Sequence, residues 1–221
     1  MSVPFILFLH RNKIHYSIQM KNIIEVFILF VLLALGGCQS AIKGIMGIKD
    51  VTPVYPADLP DFSISYNISP DVLYLIDTVV FKGFLSSLPD TSRLKHDFYQ
   101  PLQVMAFDSS GRKYFHLVNC SIGGFKNLDW NKYESFEHFP LSTGNFYNSD
   151  TTVNLDKTFS FFYKRGSVPD YSTADEIIIV LLAEFMKGQS ERLIDLIKGY
   201  DEKFVNKDIR IYYVFMDNLY L

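Results

Sequence analysis

The longest apolar run lies near the start of the chain. Residues 23–35 are apolar at every position except Glu25. These 13 residues make about 20 Å of helix. That is short of the roughly 20 residues that cross a bilayer and matches a signal-peptide h-region. Over 39–61, Gly44, Gly47, Pro53, Pro56 and Pro60 break any period, which predicts an extended tether with at most a little helix around 41–48. Ser69-Pro70-Asp71 then reads as a helix start. Val72, Leu75, Ile76, Val79, Val80 and Gly83 follow at helical spacing until Pro89, with a strand over 73–81 as the competing reading. Residues 102–107 and 113–118 are two strand-like arms, joined by Asp108-Ser109-Ser110-Gly111 in a type I turn with Gly in the left-handed position. No period persists over 120–150. Residues 176–183 are continuously apolar after Glu176, as in a central strand covered on both faces. A helix over 190–199 buries Leu193, Ile194, Leu196 and Ile197, and a second strand covers 209–216.

The order strand, helix, strand in the last third predicts a right-handed βαβ unit with parallel strands. The predicted fold class is α/β, with mixed α+β as the alternative: a β-hairpin plus this βαβ unit in one domain over 62–221.

The apolar run at 23–35 ends in Leu35-Gly36-Gly37-Cys38. This tetrapeptide resembles the lipobox of bacterial lipoproteins: an aliphatic residue, two small residues, then the cysteine that receives the lipid. The resemblance implies a signal peptide over 1–37, lipidation of Cys38 and a tether over 38–61. Met20-Lys21-Asn22 would make a short n-region with Met20 as the true start. Alternatively, Arg11, Lys13 and Lys21 belong to a long basic one. A lipid-anchored chain has the membrane as its first partner. Gln39-Ser40-Ala41-Ile42-Lys43 lacks the acidic surface-export pattern that some bacterial groups place after the cysteine, so the expected location is the outer membrane, facing the periplasm. The resemblance thus implies a palmitate-bearing membrane lipoprotein of the cell envelope.

Residues 176–217 resemble the first redox βαβ unit of the thioredoxin family. In that family a hydrophobic strand ends in an Ala-x-Trp-Cys-x-x-Cys turn, a helix follows, and the next strand ends near Val-x-x-Asp. Here the corresponding segments are Ala183-Glu184-Phe185-Met186-Lys187-Gly188-Gln189 and Val214-Phe215-Met216-Asp217. The resemblance implies a partial thioredoxin-like sheet, and a generic βαβ unit is the plainer reading. Met186 and Gln189 stand at the two cysteine positions. A dithiol acts through a thiolate at a helix N-terminus; a thioether does not ionise and an amide is no thiol nucleophile. The resemblance therefore implies a redox-inactive domain. The later hairpin of the fold has no counterpart downstream, and the hairpin at 102–119 would have to supply it from upstream.

Composition narrows the chemistry. The 221 residues carry 21 Lys+Arg and 24 Asp+Glu, a net charge of −3. Residues 38–221 keep 18 basic and 23 acidic side chains, a net of −5. That balance argues against a nucleic-acid partner. With 48% hydrophobic residues the chain can bury a core. Two cysteines exclude a disulfide scaffold, and Cys120 is the one thiol left if Cys38 is lipidated. His96, His116 and His138 are well separated and lack the fixed spacing of a zinc site, so no metal and no cofactor is expected. Cys120 with His116, or with His138, is the weak candidate for a nucleophile and base, because four residues separate Cys120 from His116 at the end of a strand. The aromatic stretch 120–150 offers Phe125, Trp130 and Tyr133 as a glycan or ligand platform; packing of those rings into the core is the plainer alternative. Taken together, the expected function is a membrane-anchored envelope lipoprotein with a non-catalytic interaction or assembly domain and an envelope protein as partner. The alternatives are a thiol enzyme using Cys120 and a ligand-binding lipoprotein using 120–150.

Overall fold

The computed structural model describes residues 47–122, 128–142, 153–162 and 171–221. In chain order the helices and strands are α1 (Leu59–Tyr66), β1 (Leu73–Leu75), α2 (Thr78–Ser87), α3 (Arg93–Phe98), β2 (Gln103–Phe107), β3 (Lys113–Val118), α4 (Asn119–Ile122), α5 (Leu155–Phe159), β4 (Glu176–Leu182), α6 (Lys187–Lys203) and β5 (Ile209–Phe215). Short 3-10 turns precede α1 and β1, lead into α6 and follow β5. The five strands form one sheet in the order β1-β5-β4-β2-β3. β1, β5 and β4 run parallel, while β2 is antiparallel to both β4 and β3.

The sheet is central because its inner strands are apolar on both faces. Along β4, Ile178, Val180 and Leu182 enter one core; Ile177, Ile179 and Leu181 enter the other. This alternation follows from the two-residue period of a strand. The first core is closed by α6, through Leu193, Ile194, Ile197 and Tyr200, and by Leu59 and Tyr66 of α1. The second is closed by Phe81 and Leu85 of α2, Phe98 of α3, and Leu155 and Phe159 of α5. The result is a three-layer α/β fold with the hairpin on the far side of β4 from β5, the position expected of a partial thioredoxin-like sheet.

The hairpin forms as its sequence predicts. Asp108 Oδ1 accepts hydrogen bonds from the Ser110 and Arg112 amides, and Gly111 takes φ +76°. A register shift lies beside Ala106 and Phe107: Ala106 faces Phe115 and Phe107 faces Lys113, leaving Tyr114 as the extra residue of a bulge.

Two segments depart from the sequence reading. The helix expected from Ser69 onward is instead a single 3-10 turn at Pro70–Val72, followed by β1. The helix begins only at Thr78, where Asp77 Oδ1 accepts from the Val79 and Val80 amides at 3.1 Å each. Its buried stripe is Phe81 and Leu85, whereas Val79 is 82% exposed. The apolar count over 72–80 had merged a strand side chain set with the outer face of a helix. The second departure is the tether. From Gly47 the chain belongs to the compact unit 47–221. Val54 and Leu59 are buried in the first core, so the domain starts well before residue 62.

Candidate functional site

Three places carry chemistry. The first is the C-terminal edge of the parallel strands, where a thioredoxin-like dithiol would lie. The turn leaving β4 is held by Asp217, just past the end of β5. Its Oδ2 accepts from the Glu184 amide at 2.9 Å and its Oδ1 from the Phe185 amide at 3.1 Å. Asp217 is almost fully buried, and burial pushes its carboxyl above the usual range against the pull of those amides. Ser190 in α6 donates its hydroxyl to the Ala183 carbonyl at 2.9 Å. Met186 and Gln189 are both buried. Gln189 Oε1 accepts from the Leu128 amide at 3.4 Å, which ties it to the segment after α4.

The N-terminal part of the domain covers this edge. The Lys49 amide donates to the Phe185 carbonyl at 2.8 Å. Asn218 exchanges two hydrogen bonds with the backbone of Val54. Tyr66 donates its hydroxyl to Glu184 Oε2 at 2.5 Å, and burial pushes that phenol far above its ordinary value. Lys187 Nζ bonds Ser65 Oγ at 2.8 Å and lies over the Tyr66 ring. The turn is thus polar, tied down and without an ionisable sulfur.

The second place surrounds Glu176 at the opposite end of β4. Its fully buried carboxylate accepts from the hydroxyls of Tyr114 and Tyr200, the latter at 2.6 Å, and from the Leu141 amide at 3.0 Å. The bulge places Tyr114 and α6 places Tyr200. Burial still pushes the Glu176 carboxyl up. With three donors from three segments, this carboxylate serves as an internal tie between β3, α6 and the 128–142 segment.

The third place is Cys120, exposed at the start of α4. His116, its expected partner, is on β3 but buried in the core: its Nε2 lies 2.9 Å from Gln103 Oε1 and its ring 5.2 Å from that of Phe98. Of the expected pair, only Cys120 reaches the surface, because the His116 side of β3 faces the second core. His138 is also exposed. The fold instead brings α3 beside the thiol. A ring nitrogen of His96, a carboxylate oxygen of Asp97 and Cys120 Sγ all lie within 4.8 Å of one another. His96 Nδ1 is 3.3 Å from Asp97 Oδ1, and Asp97 Oδ2 is 3.5 Å from Arg93 Nε. Burial, followed by the Asp97 charge, pushes the Cys120 thiol above its usual value; the Ser121 hydroxyl and Arg93 pull the other way. His96 and Cys120 are 24 positions apart in sequence, so spacing gave no signal. The adjacent pair His96-Asp97 was the one hint.

The aromatic platform is largely taken up by packing. Trp130 is buried in the first core with Phe136, so its ring is not presented to solvent. Tyr133 is half-buried, with Lys132 Nζ 5.4 Å from its ring centre. Phe125 and the lipobox cysteine Cys38 lie outside the described residues. No helix of the described residues is long and apolar enough to cross a membrane. Comparison with protein-family models, with curated proteins and with solved structures gives no match in any of the three.

Proposed function

We propose that this chain is an envelope lipoprotein, anchored through Cys38 in the outer membrane and facing the periplasm, whose α/β domain is a non-catalytic interaction or assembly module. The observation that carries the non-catalytic part is the turn at 183–189. The two positions that hold a dithiol in thioredoxin-like proteins are a buried thioether and a buried amide, and Asp217 and Tyr66 tie the turn down. The anchor rests on residues 23–38 of the sequence.

Two measurements on the full chain test this. Metabolic labelling with a clickable fatty acid is expected to mark the wild-type chain and not Cys38→Ser; a label retained by Cys38→Ser ends the anchoring reading. In a disulfide-reduction assay with a protein substrate and dithiothreitol, the rate is expected to equal that of buffer. A clear acceleration that survives Cys120→Ser overturns the redox-inactive reading.

A second reading, a thiol enzyme, is favoured by the exposure of Cys120 and the nearness of His96. It requires a thiolate at neutral pH, whereas burial and Asp97 push the thiol up. Timed alkylation of the full chain carrying Cys38→Ser decides it. Labelling at pH 7 no faster than an unstructured cysteine peptide removes the enzyme reading; labelling about tenfold faster establishes an activated thiol.

A further inference from the structure

We propose that His96, Asp97 and Cys120 form a three-ligand site for a borderline transition-metal ion of the Zn2+ class. The site joins two segments that are distant in sequence. α3 supplies the imidazole and the carboxylate, and the turn after β3 supplies the thiol. Phe98 and Leu94 anchor α3 in the second core, while β3 fixes the approach of Cys120. The candidate ligand atoms are within 4.8 Å of one another, and the imidazole–carboxylate pair is already at 3.3 Å. Tetrahedral zinc with bonds of about 2.0–2.3 Å needs ligand atoms about 3.3–3.6 Å apart. Side-chain rotation of about 1 Å at the exposed His96 and Cys120 closes that difference.

The donor set selects the ion. A thiolate disfavours Mg2+ and Ca2+, and a carboxylate beside an imidazole is harder than a Cu(I) site requires; one sulfur, one nitrogen and one oxygen suit Zn2+. Charge agrees. Metal binding deprotonates the thiol, and thiolate plus carboxylate then neutralise a divalent ion, while Arg93 remains on the other Asp97 oxygen. His96 is 63% exposed in its side chain and Cys120 is exposed, so an ion enters from solvent and keeps a water as fourth ligand. This inference is independent of the lipid anchor and of the redox-inactive reading.

Co2+ titration of the full chain carrying Cys38→Ser, in detergent, tests the site. The expected result is one Co2+ per chain, with a thiolate-to-cobalt charge-transfer band that Zn2+ abolishes. The band is lost in Cys120→Ser. His96→Ala, at a solvent-exposed ring that the fold does not need, weakens binding at least about tenfold, and Asp97→Asn does the same. Absence of the band at stoichiometric concentration overturns the proposal. So does a band whose midpoint is unchanged by His96→Ala, because that is an isolated thiol binding cobalt.

Discussion

His116 gives the fold a calculable pH dependence. Gln103 Nε2 donates to the Phe98 carbonyl at 3.0 Å and to the Gln100 carbonyl at 2.6 Å. The amide is therefore oriented with Oε1 towards His116, and the imidazole must carry its proton on Nε2 to donate across 2.9 Å. A second proton would put a cation in a fully buried site. Burial, then the charges of Lys113 and Arg93, holds the ring well below its ordinary value of 6.5. The folded chain keeps His116 neutral while the unfolded chain protonates it below that value. The stability from the neutral ring is complete above pH 6.5 and is lost as pH falls. With the folded ring still neutral at pH 5.5, the loss between pH 7.5 and 5.5 is about 1.4 kcal/mol. Urea unfolding of wild type and His116→Gln at both pH values measures it. Gln keeps an N–H donor for Gln103 and has no titration. The variant is less stable at pH 7.5, but its additional loss on acidification is expected to be about 1.4 kcal/mol smaller than that of wild type. Equal losses in the two proteins would refute the assignment of a buried neutral ring.

Three further substitutions probe the elements that shape the domain. Asp217→Asn leaves one acceptor for the Glu184 and Phe185 amides and turns an amide donor towards the other, so urea unfolding should show a loss of about 2–4 kcal/mol; a change within 0.5 kcal/mol would mean the turn does not depend on that carboxylate. Asp77→Ala removes the cap of α2 and is expected to lower stability by about 1 kcal/mol in the same assay. Tyr200→Phe deletes a donor to the buried Glu176 carboxylate, at about 1.5–3 kcal/mol. Burial already raises the Glu176 carboxyl, so stability from this group falls as pH rises past the unfolded value of 4.5. Losing a donor raises it further, and the Tyr200→Phe defect should be larger at pH 7 than at pH 4.5.

The hairpin and the βαβ unit were legible because their signals are local. An Asp-x-x-Gly turn between two apolar arms, and seven residues buried on both faces in β4, need no tertiary information. The region 69–87 was harder, because β1 is only three residues long and exists through its pairing with Tyr213–Phe215 of β5. Asp77-Thr78 was a usable cap signal, masked by Val79 and Val80, which complete a helical period yet lie on the outside. Glu176 sat in plain view at the head of an apolar run; that it would be met by Tyr114 depends on a bulge no pattern encodes. The Cys120 environment was misassigned to His116 because proximity along a strand says nothing about which face is buried. His96 arrives beside the thiol only because Phe98 pins α3 in the second core.

The packing of residues 47–66 changes what a lipid at Cys38 would do. A free tether over 38–61 would reach about 80 Å at roughly 3.4 Å per residue. The compact unit begins at Gly47, and the Lys49 and Val54 backbones are bonded to Phe185 and Asn218. Eight residues, 39–46, then separate Cys38 from the domain, a span of at most about 30 Å over the nine steps from Cys38 to Gly47. Under the proposed anchoring the domain is held close to its membrane. Residues 49–54 also pack at the C-terminal edge of β4 and β5, the edge where a thioredoxin-like dithiol would need open access for a partner disulfide. Val54, Tyr66 and Lys49 cover that edge in this chain. His96 and Cys120 lie at this same end of the sheet, two strands across from β4: Val118, at the end of β3, is level with Gln103, and Gln103 is level with Leu181. The thiol is therefore reached beside the covered turn and not through it.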